Sequence, residues 1–142
     1  MEKLTSKPII ADSSGLVSLA NSDDTNHKRA LASAKLLQNK KRPLIIPAEI
    51  FSETINIIGK KSSHKEATNT ANILLSENPL FIYYQTNRAV LEKALKHFTM
   101  VPKGVSFTDC IVMAYADEYI TKDIFGFDKG FKTAGYQLLI AD

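Results

Sequence analysis

The sequence has a single cysteine, Cys110, in 142 residues. That excludes an internal disulfide, a zinc site built on paired thiolates and dithiol redox chemistry, and it suits a reducing cytoplasm. No apolar run approaches the roughly 18 residues needed to cross a bilayer. Asp12 breaks the first run, and Pro47 and Glu49 interrupt the next, so no membrane partner is expected. Lys3 and Lys7 precede only Ile9, Ile10 and Ala11, an apolar run too short for the core of a secretion signal, so export is not expected either. Repeats, low-complexity tracts and long Pro/Gly/Ser linkers are missing, and residues 1–142 read as one domain. Gly59-Lys60-Lys61-Ser62 lacks the upstream glycine of a phosphate loop, because Thr54 stands at that place. No Gly-x-Gly-x-x-Gly follows the first strand, which leaves a dinucleotide site without support. His27, His64 and His97 are dispersed and read as surface or helix-end residues.

What is present is the composition of an ordinary folded domain, with 44% hydrophobic and 23% charged residues. The net charge is only +3, but it is unevenly spread. Residues 1–65 carry eleven basic and six acidic side chains, and residues 66–142 carry seven and nine. Lys40, Lys41 and Arg42 form one basic cluster, and Lys60, Lys61 and Lys65 another. Such clusters suit a nucleic-acid backbone, and equally suit solvated turns between helices.

Short apolar segments alternate with helical patterns. Strands are expected at 8–11, 44–46, 80–84, 123–127 and 136–140, the last two separated by a turn at Gly135. Helices are expected over 12–20, 25–39, 47–58, 88–98 and 106–120, with Gly59 ending the third of these. A further helix opens at Ser63 with Glu66 as a capping box, and carries Ala67, Ala71, Ile73, Leu74 and Leu75. Strands joined through helices call for crossovers, hence an α/β sandwich with a central parallel sheet of four or five strands flanked by helices. Ligands in such sheets bind beyond the carboxyl ends of the strands.

Acids stand at those ends. Asp12 follows the first strand with Ser13 and Ser14 behind it, and Asp128 follows the fourth within Phe125-Gly126-Phe127-Asp128-Lys129-Gly130-Phe131. Either is also a good N-cap. In the helix from Pro47, the apolar arc of Ile50, Phe51, Ile55, Ile57 and Ile58 puts Glu49 nearly opposite its centre, toward solvent, and Glu53 on its shoulder, facing a cleft. Asp109 is the third residue of a helix opened by Ser106, where it can close a capping box, serve a metal, or do both. Cys110 and its successors are apolar nearly all round, so this helix and its thiol should be buried. Tyr83 and Tyr84 read as sheet residues before base-stacking ones.

If Asp12, Glu53, Asp109 and Asp128 converge, four carboxylates need a cation, since like charges within about 4 to 6 Å raise each other's pKa. An all-oxygen donor set favours Mg²⁺ or Mn²⁺. Such an ion lowers the pKa of a bound water and stabilises charge on a phosphoryl oxygen, which is nuclease chemistry. The remaining 18 basic and 11 acidic residues suit a polyanion. The hydroxyls of Ser13 and Thr108 lie beside two of the acids and can orient water or phosphate, or simply serve turns and caps.

Four blocks together resemble the PIN-domain ribonucleases, and among them the small VapC-type toxins of toxin-antitoxin systems. They are Ile9-Ile10-Ala11-Asp12-Ser13-Ser14, Ile46-Pro47-Ala48-Glu49-Ile50-Phe51-Ser52-Glu53-Thr54, Ser106-Phe107-Thr108-Asp109-Cys110 and Phe127-Asp128-Lys129-Gly130-Phe131. The resemblance implies a PIN-like three-layer sandwich, one or two Mg²⁺ or Mn²⁺ ions, metal-dependent cleavage of RNA, a homodimer and a cognate antitoxin protein. It puts Asp12, Glu53, Asp109 and Asp128 in the family's acidic places, with Ser13 and Thr108 as its hydroxyl residues. Lys40, Lys41, Arg42, Lys60 and Lys61 are the candidate RNA-binding residues. Two positions depart: Gly126 stands where the family often has Ser or Thr, and Cys110 where it often has a small residue such as Ala. The alternatives are an RNA-processing nuclease that is not a toxin, and a catalytically silent module binding RNA or protein through the same cleft.

Overall fold

The computed structural model describes residues 7–139. Its strands are β1 (Ile9–Ala11), β2 (Leu44–Pro47), β3 (Phe81–Tyr84), β4 (Asp123–Phe125) and β5 (Gln137–Leu138). They form one sheet in the order β3-β2-β1-β4-β5, with every pairing parallel. The central strands bury both faces, so they read as continuous apolar runs, Ile9-Ile10-Ala11 and Leu44-Ile45-Ile46, instead of alternating.

Every parallel connection must cross over, and the helices make these crossings. Helices α1 (Ser13–Ala20) and α2 (His27–Asn39) join β1 to β2, and α3 (Ala48–Lys61) and α4 (His64–Leu74) join β2 to β3. The chain then reverses direction across the sheet through α5 (Arg88–Met100) and α6 (Phe107–Glu118) to reach β4, and α7 (Gly130–Thr133) leads to β5. Right-handed crossovers put the first group of helices on one face and the second on the other, giving three layers. Accordingly α1 packs with α2 and α3, α3 with α4, and α5 with α6. The order turns back at β1, and a crevice opens beyond its carboxyl end, between β1 and β4.

The core runs through both interfaces, with Ile9, Ile10, Ile45, Ile46, Ile124 and Phe125 from the sheet. Helix α6 is its densest element: the seven residues from Cys110 to Ala116 are all buried. A smaller cluster of Val17, Ile58 and Ala67 ties α1, α3 and α4 together.

Several expectations shift. Helix α3 does not stop at Gly59 but runs on to Lys61. One glycine costs about 1 kcal/mol, too little to end a helix packed against α4 whose last turn carries Lys60 and Lys61, favourable to its dipole. Ser63 does cap α4, accepting from the Glu66 amide at 3.0 Å. Of the apolar residues on α4 and at its C-cap, Ile73 and Leu75 are exposed, and Ala67 and Leu74 carry the buried side. The strand expected over 123–127 ends at Phe125, and of that expected over 136–140 only Gln137 and Leu138 pair, with Ile140 outside the described residues. The short α7 is an element that no apolar periodicity announces.

Candidate active site

Asp12 leaves β1 in extended conformation and caps α1: its carboxylate accepts from the Ser14 amide at 3.3 Å and from the Ser14 hydroxyl at 2.6 Å. The Ser14 hydroxyl also accepts from the Phe127 amide at 2.9 Å, so one oxygen bridges the end of β1 to the end of β4. Two glycines permit this approach. A Cβ on Gly15 would lie 2.3 Å from the Phe125 carbonyl oxygen, and one on Gly126 would lie 2.9 Å from the Asp12 Cβ and 3.0 Å from the Ser14 Oγ. No side chain fits at 126 unless Asp12 moves.

Asp109 sits in the first turn of α6 and closes a capping box with Ser106. Its carboxylate accepts from the Ser106 amide and its own amide donates to the Ser106 hydroxyl, both at 3.0 Å. The box engages one oxygen, Oδ2. Asp128 is exposed, with Oδ1 accepting from the Gly130 amide at 2.9 Å. Glu53 is half-buried on α3.

The four acids feel one another. Asp12 is 4% exposed, and burial above all pushes its carboxyl up from 3.8 to about 6. The Ser14 hydroxyl counters this, while the charges of Asp109 and Asp128 reinforce it. Asp109 is also raised, first by burial and then by Asp128 and Glu53. The set is thus a triad of Asp12, Asp109 and Asp128, with Glu53 acting on it through Asp109. Among the described residues no three Asp, Glu, His or Cys side chains stand ready-made about one point as a metal cage. The donor chemistry nonetheless fits a hard divalent cation: carboxylates only, mutually destabilised, one of them held in a buried place where ionisation is costly.

Ser13 and Thr108 stand beside the acids, and among the described residues neither hydroxyl bonds a site carboxylate; the hydroxyl that bonds Asp12 is that of Ser14. Glu49 is not turned out to solvent. It accepts from the Thr86 hydroxyl at 2.5 Å, and Thr86 also meets the Tyr115 hydroxyl at 2.8 Å. The buried line of α3 is Ile50, Thr54 and Ile58, because Thr54 satisfies its hydroxyl on the Ile50 carbonyl at 2.7 Å. An arc drawn from apolar side chains alone misses that threonine.

The basic candidates lie elsewhere. Arg42 stands at the amino end of β2, where it pairs with Asp123 at the start of β4 at 2.7 Å and donates to the Lys7 carbonyl at 2.8 Å. It fastens strand starts, at the end of the sheet opposite the acids. Exposed Lys40 and Lys41 share its turn, with Lys41 at φ 52°. Lys60 and Lys61 end α3, about 10 Å along its axis beyond Glu53 at 1.5 Å per residue. Cys110 is buried and its thiol is raised by burial, which makes it inert.

The chain matches the family model of the PIN domain over residues 9–135. Its fold is similar to the crystal structure of VapC20 of Mycobacterium tuberculosis, described as a sarcin-ricin loop cleaving toxin. The TM-score is 0.80 and the identity 22%, over 94% of this chain and 99% of that one. No curated protein matches the sequence. No helix among the described residues is long and apolar enough to cross a membrane.

Proposed function

Because this chain belongs to the PIN-domain family, we propose that it is a cytoplasmic endoribonuclease that hydrolyses RNA phosphodiester bonds with Mg²⁺ or Mn²⁺. The observation that carries the reading is the PIN-domain match over residues 9–135, with Asp12 leaving β1 as the cap of α1 and Asp109 in the first turn of α6. Asp12, Asp109 and Asp128 would hold the ion, with Glu53 completing the site beyond Asp109. When bound, such an ion supplies a water of lowered pKa and neutralises charge on the phosphoryl oxygen. The Ser14 hydroxyl fixes the Asp12 carboxylate in place, and the Ser106 box fixes Asp109. Glu53, half-buried on α3, would add a fourth carboxylate to the site beside Asp109.

The toxin role is supported by the near end-to-end structural likeness to a sarcin-ricin loop cleaving toxin, and it brings with it a cognate antitoxin protein. Self-association is supported by Leu91, Leu95 and Phe98, an exposed apolar stripe along α5 at helical spacing, with Met100 beyond it. Purified protein is expected to cut structured RNA with Mg²⁺ or Mn²⁺, to stop with EDTA, and to lose cutting on Asp12→Asn and on Asp109→Asn. Cleavage that survives both substitutions sinks the site assignment. Growth arrest on induction in a bacterial host, absent with Asp12→Asn, tests the toxin role, and light scattering on the purified chain tests the dimer.

A further inference from the structure

A second feature flanks Asp128 along the chain. An open cleft of about 740 Å³ is walled by Phe127 and Lys129, the two chain neighbours of Asp128, by Asn26 and Arg29 at the start of α2, and by Lys132 and Thr133 of α7. Among the described residues three cations line it and no carboxylate does. Among the described residues neither Lys129, Lys132 nor Arg29 is paired with an acid. The Arg29 guanidinium lies over the Phe127 ring, 5.6 Å from its centroid, and is steadied by Asn26 Oδ1 at 3.5 Å.

Uncompensated cations gathered around one cleft repel each other, and the partner that relieves this is a polyanion. An aromatic ring and a guanidinium plane beside them are the surfaces on which unpaired bases stack. Asn26 and Thr133 add uncharged donors. This cleft is lined by both chain neighbours of Asp128, whereas the clusters at Lys40 to Arg42 and at Lys60 and Lys61 hold none of the residues around the acids.

We propose that the cleft of Arg29, Phe127, Lys129 and Lys132 is a subsite for single-stranded RNA, holding the segment next to the bond that is cut. Its cations take backbone phosphates, and the Arg29–Phe127 pair offers a stacking face to a base. The inference rests on the nuclease reading of the neighbouring acids, and its test separates the two.

The test is equilibrium binding of a short fluorescent single-stranded RNA of mixed sequence to the full chain in EDTA, over a range of salt. The double variant Arg29→Ala/Lys132→Ala is expected to bind about ten-fold more weakly, with a salt slope lower by about 1.4, at about 0.7 for each phosphate no longer neutralised. Lys60→Ala/Lys61→Ala, which removes the same charge elsewhere, should stay close to wild type. Arg29→Lys should keep the slope while weakening affinity, because the planar stacking partner is gone. Unchanged RNA affinity in the Arg29/Lys132 variant overturns the subsite, as does an equal loss in the Lys60/Lys61 variant or no RNA binding by the wild type. Loss of a co-purifying protein with RNA affinity intact also overturns it, and assigns the cleft to a protein partner. If the wild type binds RNA through Arg29 and Lys132 yet cuts none with Mg²⁺ or Mn²⁺, the subsite stands and the nuclease reading falls.

Discussion

Replacing Asp12 with Asn should make the metal-free protein more stable at neutral pH. The unfolded chain ionises this carboxyl near 3.8 and the folded chain only near 6, because the side chain is buried beside Asp109 and Asp128. Between those values the folded state holds more protons than the unfolded one, so stability falls as pH rises through the window. The penalty is absent below about pH 4 and complete above about pH 6, where it reaches about 3 kcal/mol at 1.36 kcal/mol per pH unit. Asparagine keeps the shape and an acceptor for the Ser14 amide and hydroxyl, and is as good an N-cap as aspartate. In EDTA at pH 7.5 the variant's urea midpoint should therefore lie about 1.5 M above wild type, for a slope of about 2 kcal/mol per molar. At pH 4 the two should coincide. Mg²⁺ should narrow the gap at pH 7.5, since a ligand stabilises only the form that binds it. Equal midpoints at pH 7.5, or a gap that does not change with pH, would refute the view of Asp12 as a buried carboxylate awaiting a cation.

Ser14→Ala removes the oxygen shared by Asp12 and the Phe127 amide. It should cost about 1 to 3 kcal/mol in urea unfolding and move the acidic limb of the cleavage profile to higher pH, because the Asp12 pKa loses the hydrogen bond that lowers it. Gly126→Ser restores the hydroxyl common in the family but puts a Cβ 2.9 Å from that of Asp12. A stability loss of about 1 to 3 kcal/mol with reduced cleavage is expected, and a gain in either would show that the site has room. Arg42→Ala breaks the ties to Asp123 and to the Lys7 carbonyl; the side chains of the Arg42–Asp123 pair are only 18% and 15% exposed. It should lower stability by about 1 to 3 kcal/mol and leave the RNA affinity of the folded protein unchanged, as fluorescence binding can check.

The layered sheet was legible because a strand buried on both faces must be uniformly apolar, and Ile9 to Ala11 and Leu44 to Ile46 are. The place of Asp12 was legible for a related reason: an Asp directly behind an apolar strand and ahead of a helix announces a cap at the strand's carboxyl end. What stayed hidden depends on contacts between distant segments. Nothing local says that Ser14, not Ser13, faces the Phe127 amide, 113 positions away. Arg42 reads as one of three cations in a turn until Asp123 arrives beside it. Arg29 sits beside Lys28 in an ordinary helix start, and only the fold sets it over Phe127, with Lys129 and Lys132 nearby. Thr54 misleads for a different reason, since a back-bonded hydroxyl behaves as an apolar group.

The depth at which α6 is buried has a mechanical consequence. With neighbours on every side from Cys110 to Ala116, the helix is clamped like a rod in a vice, and Asp109 is fixed at its protruding tip. Asp12, strapped by Ser14, forms the other fixed jaw. Asp128 alone sits on an exposed turn, next to the cations of the cleft. Of the three acids, Asp128 is thus the one whose position depends least on the packed core, its carboxylate held by a hydrogen bond from the Gly130 amide.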